Sequence, residues 1–401
     1  MFDAPALEHF VDPSDVDALF ACDSLNPHDV CQTLRNFYAA IQSSRHTGLN
    51  YTTSHTAEAV AQLVVGHFNE AVRNFGQTPT VDEQARLAAL GQAFQKLGGA
   101  MDELDNARYA RGEPPYHNTN HGLLVMAVNL VVGRAQRKLD GYPGGRGLSV
   151  SRLLDEMFVS LASLNHDYAH DGTNNRATGA YVPGRLELIS HNLLEPILKE
   201  AGASAQDMLR ARWMTFATDP DLPGKITEHA AAHVLGYPVL ALSRKALDER
   251  IDALPPEDQS ILRAFRDAMI KDPFLAEASV RLKGCDMVPS FGLSVTNWCH
   301  ESLRLNAEMT ALDSSKPIVT ADGSPVAAAG LFVQWAFIGA EVTGSQAAVQ
   351  AGPRVRFMHP VVDYLFGAIV RKIQAANWNA VPEPVRQSIM KAAFAGYDLK
   401  L

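Results

Sequence analysis

Asn118-Thr119-Asn120-His121-Gly122-Leu123-Leu124-Val125-Met126-Ala127-Val128-Asn129-Leu130-Val131-Val132-Gly133-Arg134-Ala135-Gln136-Arg137-Lys138 reads as one long helix. Its apolar positions recur without the alternation of a strand. The loop Gly141-Tyr142-Pro143-Gly144-Gly145 then closes it with strong breaker chemistry. The same reading extends upstream. From Ala57, apolar residues recur at spacings of three and four through Val60, Val64, Phe68, Val72 and Phe75, and Gly76 is a natural stop. A further helix is expected over about Val81 to Leu104, with Asp82 and Glu83 loading its first turn as the helix dipole favours. Downstream, helical stretches are expected near 149–165, 185–200, 204–217, 226–248, 258–271 and 294–312. Long alternating runs are absent, and Lys316-Pro317-Ile318-Val319-Thr320 is the best place for a short strand. No repeat and no hydrophilic linker divides the chain, so the expected architecture is all-α. Residues 1–30 are expected to form an N-terminal arm and 31–401 a single compact helical catalytic domain.

The chain has 401 residues, 47% hydrophobic and 20% charged, the composition of a folded globular protein rather than a disordered one. It carries 35 basic and 44 acidic residues, a net charge of −9. Non-specific nucleic-acid and anionic-membrane binders need the opposite balance, so neither partner is expected. An anionic substrate stays possible where bound cations supply positive charge. Cys22, Cys31, Cys285 and Cys299 form no Cys-x-x-Cys pair, which argues against a zinc knuckle, and free thiols suit a reducing compartment. The acidic start, broken by Pro5, does not resemble a signal peptide, and no apolar run reaches membrane-spanning length. A cytoplasmic location is expected.

Two histidine clusters carry the chemistry. Tyr116-His117-Asn118-Thr119-Asn120-His121 puts two imidazoles four apart at the start of the long helix, on one face. Asn165-His166-Asp167-Tyr168-Ala169-His170-Asp171-Gly172-Thr173-Asn174-Asn175 puts two imidazoles and a carboxylate into five residues, followed by turn chemistry. Neutral imidazole and carboxylate are ligands for zinc, iron and manganese. Adjacent His166 and Asp167 can share one ion only where the helix is ending, as the Gly172-Thr173-Asn174-Asn175 turn suggests. A lone His-x-x-x-His is more often packing than a site, and His229 with His233 is read that way, as is the bare His28-Asp29 dipeptide. Co-occurrence sets the first two clusters apart, because the helices that bear them can pair as an antiparallel hairpin.

These motifs resemble the metal-site signature of the class I cyclic nucleotide phosphodiesterase catalytic domain, within the HD superfamily. That family carries Tyr-His-Asn-x-x-His and His-Asp-x-x-His-x-Gly-x-x-Asn, and both patterns are complete here. Ala217-Thr218-Asp219, then Asp286 in Gly284-Cys285-Asp286-Met287, then Gln334-Trp335-Ala336-Phe337-Ile338 follow in family order. The chain departs from the pattern at Gly122-Leu123-Leu124, at Leu194-Glu195-Pro196-Ile197, around Asp286 (Lys283 and Val288-Pro289), and at Gly339-Ala340-Glu341-Val342. Most of these departures touch the substrate pocket rather than the metal ligands.

The resemblance implies hydrolysis of the 3′,5′-cyclic phosphodiester of a purine nucleotide, cyclic AMP or cyclic GMP, by a metal-activated hydroxide. His121, His166, Asp167 and Asp286 are the implied metal ligands. The tighter ion is expected to be zinc, iron or manganese, and the second magnesium or manganese. His117 is the implied general acid, since imidazole titrates near neutrality. Glu195 is a candidate carboxylate partner for it, and His170 is expected beside metal-bound water. Asn175 either fixes its loop or reaches the phosphate. Tyr116, Gln334 and Phe337 are the remaining substrate-pocket residues, with Gln334 pairing to the base and Phe337 stacking on it. A homodimer is left open. The altered pocket keeps an alternative in view, an HD-type hydrolase of another phosphoester such as a dinucleotide, a nucleotide or a phosphoribosyl-modified protein. A sensor with a degenerate site is disfavoured by the complete ligand set. P-loop, serine-hydrolase and zincin motifs are absent.

Overall fold

The computed structural model describes residues 11–45, 56–76, 78–109, 116–141, 149–173, 175–176, 179–237, 242–291, 293 and 357–369. Among them every regular element is helical, and the all-α class holds. The expected helices at 294–312 and the strand at 316–320 lie outside the described residues. Two compact units emerge. One comprises residues up to Glu113, His117–His170 and Ile189–Arg212; the other comprises Pro114–Tyr116, Asp171–Leu188 and the chain from Trp213 onward.

The first unit is built on α1 (Pro13–Ala21), α2 (Pro27–Arg45), α3 (Thr56–Asn74), α4 (Val81–Tyr109), α5 (Thr119–Leu139) and α6 (Val150–Asn165). α5 is its centre, buried on all sides from Thr119 to Gly133, and it packs against α6 and α2. A helix apolar all round has no solvent face to offer, so its neighbours must surround it. α4 packs on α3 and α6 and buries Leu90, Phe94 and Leu97 completely. Each such side chain contributes about 1.5–3 kcal/mol on leaving water. Gly98 permits the α3–α4 crossing, since a Cβ there would meet the Ala57 carbonyl oxygen at 2.7 Å. Four residues on, Asp102 accepts hydrogen bonds from the Ala57 and Glu58 backbone amides and so caps α3 from its neighbour. Arg86 of α4 bridges Asp155 of α6 and, with two bonds, Asp207.

Of the expected arm, the described residues from 11 onward form α1 and the start of α2. α1 buries Val16 and Leu19 and packs on α2, α3 and α5. Its own apolar stripe is what draws it into the core.

α7 (Arg185–Glu200) and α8 (Ala205–Phe216) each run across the boundary between the units. The second unit contains α9 (Leu222–Leu235), α10 (Arg244–Asp252), α11 (Pro256–Lys271), α12 (Pro273–Phe291) and the short α13 (Pro360–Val362), which passes into a single π turn over Asp363–Gly367. α9 is central, packed by α10, α11 and α12. Trp213, Phe216 and Phe265 form an aromatic cluster with centroids 5.0–5.6 Å apart.

Two differences from the sequence reading are local in origin. The single helix expected over 226–248 is two. Gly236 takes a left-handed conformation (φ 71°) and returns its amide to the Ala232 carbonyl, and Ser243 then caps α10. α12 was hidden by Pro273, Gly284 and Pro289, yet Pro273 opens the helix, where a missing N–H costs nothing, and Pro289 sits in its last turn. No helix of the described residues is long and apolar enough to cross a membrane.

Candidate metal centre

The start of α5 and the end of α6 position the two histidine clusters, and α5 packs on α6. α5 begins at Thr119 rather than at His117. Asn118 is its cap, accepting through Oδ1 from the amides of Asn120 at 3.0 Å and His121 at 3.3 Å. His117 therefore stands just outside the helix, and His121 in its buried first turn.

α6 ends at Asn165, and the chain turns at once. The Tyr168 amide donates to the Asn165 carbonyl at 2.8 Å, and the His170 amide to the Asp167 carbonyl at 3.0 Å. Ala169 takes φ 62°, the left-handed region that side-chain-bearing residues seldom adopt. In a continuing helix, consecutive side chains diverge by about 100°. In this turn they converge, and His166 Nε2 lies 3.0 Å from Asp167 Oδ2.

Two further imidazoles approach the same carboxylate oxygen. His121 Nε2 is 3.4 Å away and His117 Nε2 3.9 Å. The His121 and His166 rings have centroids 5.2 Å apart, and those of His117 and His121 are 5.9 Å apart and nearly perpendicular. His170 stacks on His117 at 3.9 Å with 17° between planes. Burial opposes charge on Asp167, but His166, His117 and His121 overcome it and hold the carboxyl well below the usual carboxylate range. A small cleft lined by Met101, Leu104, Asp105, Tyr168 and Ala169 leads to His117 and Asp167.

The donor set fits a divalent cation. His121, His166 and Asp167 each present a ligand atom, and these atoms lie within 4.8 Å of one another. His166 Nδ1 is 2.7 Å from the Ser163 carbonyl oxygen, which can only accept. The proton of a neutral His166 therefore sits on Nδ1, and the Nε2 lone pair faces the Asp167 carboxylate. Two acceptors facing each other at that distance require a cation or a second proton between them. A ring nitrogen tied to a backbone carbonyl is also the usual outer support of a metal-bound histidine.

The remaining candidates divide. Asp286 is half-buried on α12, in the second unit. Tyr116 is buried next to His117 in sequence. Asn175 has its amide engaged inside the protein: Nδ2 donates to Glu187 at 3.0 Å, and Oδ1 accepts from the Leu186 amide at 3.0 Å. Of the two roles open to it, these contacts are those of a loop-fixing residue. Glu195 is exposed and pairs with His191 at 3.6 Å. Gln334 and Phe337 lie outside the described residues.

Sequence reading missed Glu187, a buried carboxylate near the start of α7 that accepts from Asn175. An acid in a first turn reads as dipole chemistry, and only the returning loop gives it a partner. Asp219 of Ala217-Thr218-Asp219 organises the approach to α9. It accepts from the Tyr181 hydroxyl and the Gly184 and Asp221 amides, each at 2.8 Å. Gly184 is required beside it, because a Cβ there would overlap the Phe216 ring. His229 is hydrogen-bonded to the Leu242 carbonyl at 2.5 Å, and His28 is exposed beside Asp29, in keeping with their structural reading.

No family model matches the chain, and no curated protein matches it. Among solved structures, the phosphodiesterase domain of a RhoPDE fusion protein from the choanoflagellate Salpingoeca rosetta is 13% identical, over 87% of this chain and 95% of that one, with a TM-score of 0.45. LmjPDEB1 in complex with IBMX is 14% identical, over 92% of this chain and 98% of that one, with a TM-score of 0.49.

Proposed function

We propose that the protein is a metal-dependent hydrolase that opens the 3′,5′-cyclic phosphodiester of a purine nucleotide, cyclic AMP or cyclic GMP, to the 5′-monophosphate. The observation that carries this reading is the convergence of His121, His166 and Asp167, with His117 3.9 Å from the same carboxylate oxygen. The complete motifs point to the same chemistry.

His121, His166 and Asp167 hold the tighter ion, and Asp286 completes the set by its place in the motif order. Asp167 also serves a second ion. Divalent ions bound there supply Lewis acidity toward the phosphoryl oxygens and an acidified water as nucleophile. Imidazole and carboxylate ligands suit zinc, iron or manganese in the tight site, and magnesium or manganese suits the second. His117 gives a proton from Nε2 to the departing O3′. His170, stacked on His117, keeps that ring from rotating away. Gln334 and Phe337 hold the base, and Tyr116 lines the pocket. Asn175 fixes the loop after His170, and Glu195, paired with His191, takes no part.

The test is turnover of cyclic AMP and cyclic GMP, separately, by purified protein supplied with manganese or magnesium. His117→Ala should lower kcat about 10²–10⁴-fold while metal content is kept. Turnover of a dinucleotide or another phosphoester, with none of either cyclic nucleotide, would replace this substrate assignment.

A further inference from the structure

Each histidine ligand drawn from α5 and α6 is preceded in sequence by a fully buried asparagine: Asn120 before His121, and Asn165 before His166. Asn120 is 1% exposed and Asn165 is 0% exposed. The amide oxygen and nitrogen of both side chains, four atoms in all, have no hydrogen-bond partner among the described residues. Buried amides are almost always hydrogen-bonded, and leaving one unsatisfied is far costlier than placing a leucine of similar volume there. The two residues also neighbour, in sequence, a tight backbone contact between the helices. A Cβ on Gly122 would lie 2.8 Å from the Leu164 carbonyl oxygen, so backbone there meets backbone. Asn120 precedes that glycine by two residues and Asn165 follows that leucine directly, and neither is a specified position of the histidine–aspartate patterns.

We propose that Asn120 and Asn165 are positioning residues for the metal centre, joined by buried water into one hydrogen-bonded network that locks the start of α5 to the end of α6. Water satisfies buried amides of this kind where two or more polar groups converge. Locking this crossing fixes the first-turn ring of His121 against the turn that carries His166 and Asp167. The ligands then meet a cation without reorganising. The inference rests on the metal-site reading above.

The experiment is cobalt(II) titration of metal-stripped protein, read by the visible absorption of the bound ion, on wild type and on Asn120→Leu and Asn165→Leu. Asn120→Ala and Asn165→Ala, which leave room for water, stand in should a leucine variant fail to fold. The expected result is a 10- to 100-fold loss of cobalt affinity and an altered absorption band in a variant at either position, the range seen when outer supports of metal ligands are removed. A crystal structure of wild type should show water within hydrogen-bond distance of both amides. Unchanged affinity and spectrum in folded variants, with raised thermal stability in the leucine forms, would overturn the assignment and leave the metal site standing. Failure of wild type to bind cobalt would overturn both.

Discussion

The α-carbon of Gly122 on α5 lies against the carbonyl of Leu164 at the end of α6, so close that a methyl group there would sit 2.8 Å from the oxygen. The obstacle is backbone, which cannot rotate aside. His121 precedes the glycine, and His166 follows the leucine by two residues, so this contact sets how closely the two halves of the histidine cluster approach. Gly122→Ala should therefore cost about 1–3 kcal/mol, the usual penalty of forcing volume into a packed contact. It should also weaken metal retention. Urea denaturation and metal analysis of the variant check both, and wild-type values in each would remove the contact from any role.

Asp167 Oδ2 is approached by three imidazoles. Asp167→Ala should abolish turnover and release at least one equivalent of metal. Elemental analysis after gel filtration is the measurement, and full metal content in the variant would refute the ligand assignment. His170→Ala should behave differently. It removes the ring stacked on His117, so kcat should fall while metal content stays.

His191 is buried on α7, and burial pushes its pKa down to about 4 despite Glu195 nearby, with Arg212 acting in the same direction as burial. In the unfolded chain it titrates near 6.5. Between about pH 6.5 and 4 the unfolded state binds a proton that the folded state refuses, so stability falls as pH falls. The effect is on the order of 3 kcal/mol. His191→Gln should flatten this acid limb in urea titrations at successive pH values. An unchanged slope would show that the ring accepts a proton in place.

Asp219 acts in the opposite sense. Burial pushes its pKa up to about 6, against the hydrogen bonds from Gly184, Asp221 and Tyr181 that favour the ionised form. From about pH 4 to 6 the folded state holds a proton that the unfolded state has lost, so stability falls as pH rises. The two groups oppose each other in one window, and Asp219→Asn should therefore steepen the acid limb. Tyr181→Phe should cost about 1–2 kcal/mol, since it leaves the carboxylate one bond short. Chemical denaturation across that range tests both variants.

The helices were legible because their signals are local. Apolar spacing of three and four marks α3, α4 and α6, and breaker chemistry at Gly76 and after Leu139 marks the ends of α3 and α5. The histidine–aspartate motifs were legible for the same reason, being short runs of residues with their own chemistry. α12 was not, because Pro273 and Pro289 read as breakers until their places in the first and last turns are known. Whether Asn175 meets Glu187 and whether His170 covers His117 depend on how separate segments of the chain come together, which periodicity cannot pair. Local sequence thus singled out the candidate residues and most of the helices that bear them. Packing of α5 on α6 through Gly122, and the left-handed turn at Ala169, settled which of those residues share a carboxylate, because distances between elements are set by volume and backbone contact.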